Sequence, residues 1–220
     1  MKKIIILTLL LQLTLQMSAV ELDTNDRDSV YVTTILSRSQ KIVDKLGIKD
    51  KSVAGNVLKI IANRYFKLND IHEDCAKKTK YAKDSLTGKE KQLALDAAQN
   101  ERDAQLYKHH FEFTADLSMF INDKQIEAVK DGLTYGVVKV TYDATLEMIP
   151  SLTVEEKTQI LAWLKEAREF SMDAENSNKK HEWFGKYKGR INNYLAKRGY
   201  DLVKEREGWY KRIDSKKKTK

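Results

Sequence analysis

Apolar residues recur along this chain at intervals of three and four, the period of α-helices that bury one side. In residues 28–46, Val30, Ile35, Ile42 and Leu46 fall near one face, and Gly47 follows as a left-handed stop. A second run opens near Ser52, with Val53, Val57, Ile60, Ile61, Leu68, Ile71 and Cys75 in step, and Thr87 and Gly88 close it after Leu86. A third, over residues 89–121, sets Leu93, Ala97, Ala104, Tyr107, Phe111 and Met119 on a narrower stripe, read as the face that packs within the molecule. Two long helices separated by one glycine predict an antiparallel hairpin.

The C-terminal half is shorter-grained. Asn122 with Gln125, and Thr153 with Glu156, each pair an N-cap residue with a partner three positions on, the spacing at which side chains satisfy free helix-start amides. Their offset of 31 residues is read as two helices obeying one capping rule, not as a repeat. Val137, Val138 and Val140 have strand character but no partner strand, so residues 135–148 are expected to be mostly helical, ended by Pro150. A last helix is expected over residues 180–198, with Lys197 and Arg198 complementing its negative end and Gly199 terminating it. The fold class expected is all-α: a long antiparallel hairpin packed against several shorter C-terminal helices.

Composition supports this and narrows the setting. Of 220 residues one is proline and nine are glycine, too few for a turn-rich β fold, and 41% are apolar, enough for a core. Lys2 and Lys3 followed by the apolar stretch 4–15 and by Ser18 and Ala19 predict a cleaved secretory signal over residues 1–19. A single all-helical domain over residues 20–213 and a basic flexible tail over residues 214–220 complete the division. Removing Lys2 and Lys3 lowers the formal charge from +8 to +6, and setting aside Lys216, Lys217, Lys218 and Lys220 leaves a body near neutral at +2. A nucleic-acid partner is therefore not expected, since it needs a basic face on the domain itself. Nor is a membrane association once the leader is removed. One cysteine, Cys75, forms no internal disulfide and is either a buried thiol or free for an intermolecular bond.

Chemistry-bearing residues are scattered. His72 and Cys75 stand three apart, but metal needs more ligands and Cys75 lies on the apolar stripe, so a core thiol beside a boundary histidine is expected. His109 and His110 are adjacent and point to different faces, each solvated or packed by default. Glu166, Glu169 and Asp173 are spaced to share a helix face. Such carboxylates do acid–base work where environments separate their pKa values; beside Lys165 and Arg168 they also fit an ordinary solvated face. No metal site and no cofactor are expected.

The most unusual stretch is WFGKYKGRINNY, residues 183–194. Gly185 and Gly189 share a helical face although each costs about 1 kcal/mol relative to alanine, so another backbone is expected to approach them closely. Trp183 and Tyr187, edged by Lys186, Arg190 and Asn193, suit a sugar acid, whose ring face stacks on an aromatic while its carboxylate pairs with a cation. The expected ligand-binding residues are Trp183, Lys186, Tyr187, Arg190 and Asn193, with core packing as the alternative role for the aromatics.

These segments also carry a resemblance. DGLTYGVV from Asp131, Tyr142, LEMIP to Pro150, LTVEE from Leu152, ILAW to Trp163, EAR to Arg168, the WFGKYKGRINNY run and GYDL from Gly199 are similar to a family of exported Bacteroidetes proteins known as a domain of unknown function. The resemblance implies an extracytoplasmic helical domain, often encoded among genes for plant cell-wall polysaccharide use, pectin in particular; it implies no catalytic residue. The Leu-Thr helix starts on a hairpin also resemble periplasmic chaperones of the Spy type. The leading expectation is a non-catalytic periplasmic accessory protein binding acidic oligosaccharides or proteins that degrade them. The alternatives are a carbohydrate-active enzyme using Glu166, Glu169 or His181 for acid–base work, and a periplasmic chaperone, which needs apolar surface on the hairpin that the third helix's packing is expected to consume. Oligomeric state is left open.

Overall fold

The computed structural model describes residues 19–218, so the expected leader lies, but for Ala19, outside the described residues. Eight helices and no strand occur among them: α1 (Ser29–Val43), α2 (Lys51–Ser85), α3 (Gly88–Ser118), α4 (Asp123–Leu133), α5 (Val137–Met148), α6 (Val154–Met172), α7 (Ser177–Lys197) and α8 (Leu202–Lys218). The fold is all-α, as expected. The last helix of the sequence reading is α7. A further helix, α8, follows it and is helical as far as Lys218, through the first part of the stretch expected as a flexible tail.

Side chains set the boundaries. Asp28 and Asp50 cap α1 and α2 by accepting from backbone amides of their first turns. Both anticipated capping boxes form: Asn122 with Gln125 on α4 and Thr153 with Glu156 on α6. Glu156 also accepts from Arg198 Nε at 2.7 Å and Tyr200 Oη at 2.8 Å, tying the α7–α8 turn to the start of α6. Burial pushes this carboxyl's pKa up, but the Thr153 amide and those two donors outweigh it and hold it at about 2. Gly47 takes the left-handed conformation expected of it, at φ +65°. Tyr135 and Gly136 are consecutive left-handed residues that turn α4 into α5, so this helix starts at Val137, two residues later than expected.

Three apolar clusters make the core, the smallest being Ile35 of α1 with Ala62 and Phe66 of α2. The first gathers Ile42, Val57, Ile61, Leu117, Val129 and Leu133 from α1 to α4. The second gathers Ile149, Ile160, Leu164, Phe184, Ile191 and Leu195 around α6 and α7. Arg168, buried on α6, joins these two by donating to Asp131 and Glu127 of α4 at 2.8 Å. Val20, directly after the expected cleavage point, donates to Asn56 of α2 at 3.0 Å, and Arg27 pairs with Asp70, so the chain is tied down from its first described residues.

Three packing expectations fail. Val30 faces solvent, because α1 buries Ile35, Ser39, Ile42 and Val43 instead. The stripe on α3 is real but faces outward: Leu93, Ala97, Ala104, Tyr107, Phe111 and Met119 are all exposed, while Ala98, Phe113 and Leu117 on the other side meet α2 and the core. Periodicity shows that a stripe exists, not what covers it. Gly185 and Gly189 face open space, with no atom within 4 Å of a Cβ built at either. The glycine that does admit a close approach is Gly132, where α4 crosses α1 and an added Cβ would lie 2.9 Å from Ile42 Cγ2.

Opposite signs are therefore expected for two similar substitutions. Gly132→Ala overpacks the α1–α4 crossing and lowers stability by about 1–3 kcal/mol. Gly189→Ala adds no contact, removes the glycine penalty from an exposed helix interior and raises stability by about 0.5–1 kcal/mol. Urea denaturation of both variants beside the parent checks this, and a shared sign contradicts it.

Candidate functional site

A groove of about 630 Å³ opens between the C-terminal half of α3 and the junction of α6 with α7. One wall is α3, with Leu106, Tyr107 and Phe111; the other is Phe170 of α6 and Trp183 of α7. Tyr107 and Phe111 meet edge to face at 5.1 Å, and Phe170 and Trp183 stack at 4.7 Å and 16°. Because α3 turns its back to α2, these rings stay accessible: Tyr107 is 71%, Phe111 58% and Phe170 46% exposed. Arg102 with Asp103, and Glu175 with Lys179, contribute charge to the lining.

The floor is polar and centred on Asp173, the residue that ends α6. Its carboxylate accepts from Arg64 of α2 and from His110 Nδ1 of α3 at 2.8 Å, and its backbone carbonyl accepts from His72 Nε2 at 2.8 Å. Arg64 is 4% exposed, and its Nε and Nη1 find no hydrogen-bond partner among the described residues. Burial pushes its pKa down, opposed by the Asp173 charge, so this carboxylate is what keeps a buried cation tolerable. His110 Nε2 lies 3.4 Å from Glu169, which also receives Lys130 at 2.8 Å. The bonds to Asp173 and then Glu169 raise His110 to about 9 against the cost of its burial. Burial raises Glu169, but His110 and Lys130 overcome it and hold the carboxyl at about 2.

The five residues expected to bind ligand form a strip along α7, and one of them, Trp183, lines the groove. The Lys186 ammonium lies 4.2 Å from the Trp183 ring centroid, but Lys186 is not part of the groove lining. Tyr187 is buried and belongs to the second core cluster, the packing role held open for it. Arg190 lies over Trp163 at 4.5 Å and pairs with Glu166 at 3.3 Å on the outer face of α6 and α7, and Asn193 is exposed further along. The acid–base candidates are not assembled. Glu166 is on open surface, His181 stacks on Tyr135, and Glu169, though in the groove, is ionised and engaged by three cations, counting Arg168. An acid that must lend a proton near neutral pH cannot sit at about 2.

The residues that sequence reasoning missed are Tyr107, Phe111 and Phe170 on the walls and Arg64 and His110 at the floor. A signal existed for some: the α3 stripe contained both rings, and the spacing of Glu169 and Asp173 did place them together. Cys75 is buried, within 4.0 Å of Thr79 Oγ1, and His72 is a boundary residue, both as expected. Among the described residues no cluster of three histidine, cysteine or acidic side chains could hold a metal ion, and no helix is long and apolar enough to cross a membrane.

The chain belongs to a family described as protein of unknown function (DUF3826), whose model matches residues 32–215. Every groove residue named above lies within that span. No curated protein matches the chain.

Two experiments test the floor. Asp173→Ala leaves Arg64 buried without its carboxylate, and breaking such a pair costs about 3–5 kcal/mol, so a large fall in melting temperature is expected. The His110 contribution depends on pH. Its folded pKa is raised, so its stabilisation is complete below the ordinary value of 6.5 and is lost as pH rises through about 9. Glu169 acts in the other direction: its stabilisation is complete above 4.5 and lost as pH falls toward about 2. The melting-temperature gap between the parent and His110→Gln should be widest between these ordinary values and close by the far side of pH 9; a gap independent of pH would contradict the ion pairing.

Proposed function

We propose that the protein is an exported, periplasmic binding protein that holds an oligosaccharide in the α3/α6/α7 groove, as a non-catalytic accessory to plant-polysaccharide use. The observation that carries this reading is the pair of aromatic walls around a polar floor. Sugar rings present apolar C–H faces that stack on accessible aromatics, and their hydroxyls need fixed polar groups, which Asp173, Glu169, His72 and His110 supply in rigid positions. Glu169, held ionised by His110 and Lys130, can orient a ligand but has no proton to lend to a leaving group, which supports binding over general-acid hydrolysis. The leader-like residues 1–19 and the resemblance to exported proteins of polysaccharide use support the setting.

Acidic sugars are favoured through the Trp183 end. The cations of the lining are engaged, Arg102 with Asp103 at 2.7 Å and Lys179 with Glu182 at 3.0 Å. In this reading the exposed Lys186, whose ammonium is 4.2 Å from the Trp183 ring centroid, meets the carboxylate of a ring seated against Phe170.

Isothermal titration of the leader-free protein with oligogalacturonides and with neutral oligosaccharides of equal length tests this. Binding is expected, with Phe170→Ala weakening it by about tenfold or more, an energy of about 1.4 kcal/mol, while the melting temperature stays close to that of the parent. Lys186→Gln should weaken acidic ligands only. No heat with any sugar at high protein concentration overturns the reading.

A further inference from the structure

α3 packs along α2 on one side and meets α4 near its C-terminal end. The arm of the hairpin, residues 76–101, buries only the small side chains of Ala82 and Ala98. On its outer side α3 carries a seam at alternating steps of four and three: Leu93, Ala97, Asn100, Ala104, Tyr107 and Phe111, all exposed. Leu93 and Phe111 are eighteen residues and five helical turns apart, so the seam runs straight for about 27 Å. A heptad-spaced seam of this kind is the surface one helix offers another.

The seam is its own complement. Turned end over end about a two-fold axis at the level of Arg102, it sets Leu93 opposite the partner's Phe111, Ala97 opposite the partner's Tyr107, and Asn100 opposite the partner's Ala104. The exposed tyrosine meets a residue small enough to receive it, and the small middle lets the two helices approach closely. A parallel pairing instead sets Tyr107 against Tyr107 and alanine against alanine, propping the helices apart where their middles are small. Leu93, Tyr107 and Phe111 alone offer roughly 350 Å² of the about 800 Å² that each partner buries in a specific interface. Asp96 and Lys108 flank the seam as a polar rim.

We infer that two copies of this chain associate through α3, antiparallel, with Leu93, Ala97, Asn100, Ala104, Tyr107 and Phe111 as the contact. The second copy supplies the layer that the thin arm lacks. Tyr107 and Phe111 belong both to the seam and to the groove wall, so a second copy and a sugar compete for these rings.

Sedimentation of the leader-free protein, without any sugar, tests the association independently of ligand binding. The expected mass is that of two copies, dissociating on dilution. Leu93→Asp, at an exposed position outside the groove, should give single copies whose circular dichroism is that of the parent. Asn100→Cys combined with Ala104→Cys should form a covalent dimer under mild oxidation, whereas Leu93→Cys alone should not, because the two substituted positions lie about 27 Å apart in an antiparallel pair. A single copy at every concentration, a dimer indifferent to Leu93→Asp, or ready cross-linking through Leu93→Cys would each overturn the inference.

Discussion

The pairing of Arg64 with Asp173 is the constraint on which the rest of the site depends. A guanidinium on the inner side of α2 is buried with two of its nitrogens unpartnered among the described residues, and the Asp173 carboxylate is its ionic partner. That requirement fixes where α6 ends relative to α2. With Asp173 held, its second oxygen and its backbone carbonyl bind His110 and His72, so one residue ties three helices together. Glu169, one turn earlier, extends the network to Lys130 and Arg168 and through them to α4. The network is worth keeping as a unit, because removing one partner leaves a charge uncompensated in a poorly solvated place.

The groove follows from what this network leaves uncovered. α3 uses Ala98, Phe113 and Leu117 to reach α2 and the core, so its rings at 107 and 111 remain outside. α6 and α7 pack through Ile160, Leu164, Phe184 and Ile191, which leaves Phe170 and Trp183 at their edge facing α3. The floor is stiff and charged but internally neutralised, and the walls are apolar and reachable. Under the proposed reading such a site would discriminate ligands by shape, stacking and a few oriented hydrogen bonds.

Local rules in the sequence carried far, and long-range ones did not. The capping boxes at Asn122 and Thr153, the stop at Gly47 and the hairpin of α2 with α3 each depend on residues within a few positions of one another, and periodicity with capping chemistry is enough to find them. α8 escaped because Gly199 ends α7 convincingly and the basic composition beyond it reads as solvated tail. The pairing of Arg64 with Asp173 spans 109 residues and has no local trace. The α3 stripe shows the remaining difficulty: apolar spacing marked the right six positions, but whether a stripe is covered depends on the other helices. Gly185 and Gly189 failed for the same reason, since spacing cannot distinguish a close crossing from open surface, whereas Gly132, in the DGLTYG stretch, was where two helices met.

The central claim is that a sugar ligand enters between the α3 rings and the Phe170–Trp183 stack. The three tryptophans report on it separately: Trp183 lines the groove, Trp163 lies under Arg190 on the outer face of α6, and Trp209 of α8, which is not in the groove lining, donates to Glu147. Each indole N–H gives its own signal in a proton–nitrogen correlation spectrum of the labelled protein. On titration with an oligogalacturonide the Trp183 signal should move in a saturable way, with Trp209 unchanged and Trp163 affected little. Saturable movement of Trp163 or Trp209 with Trp183 still would place the ligand elsewhere and contradict the account.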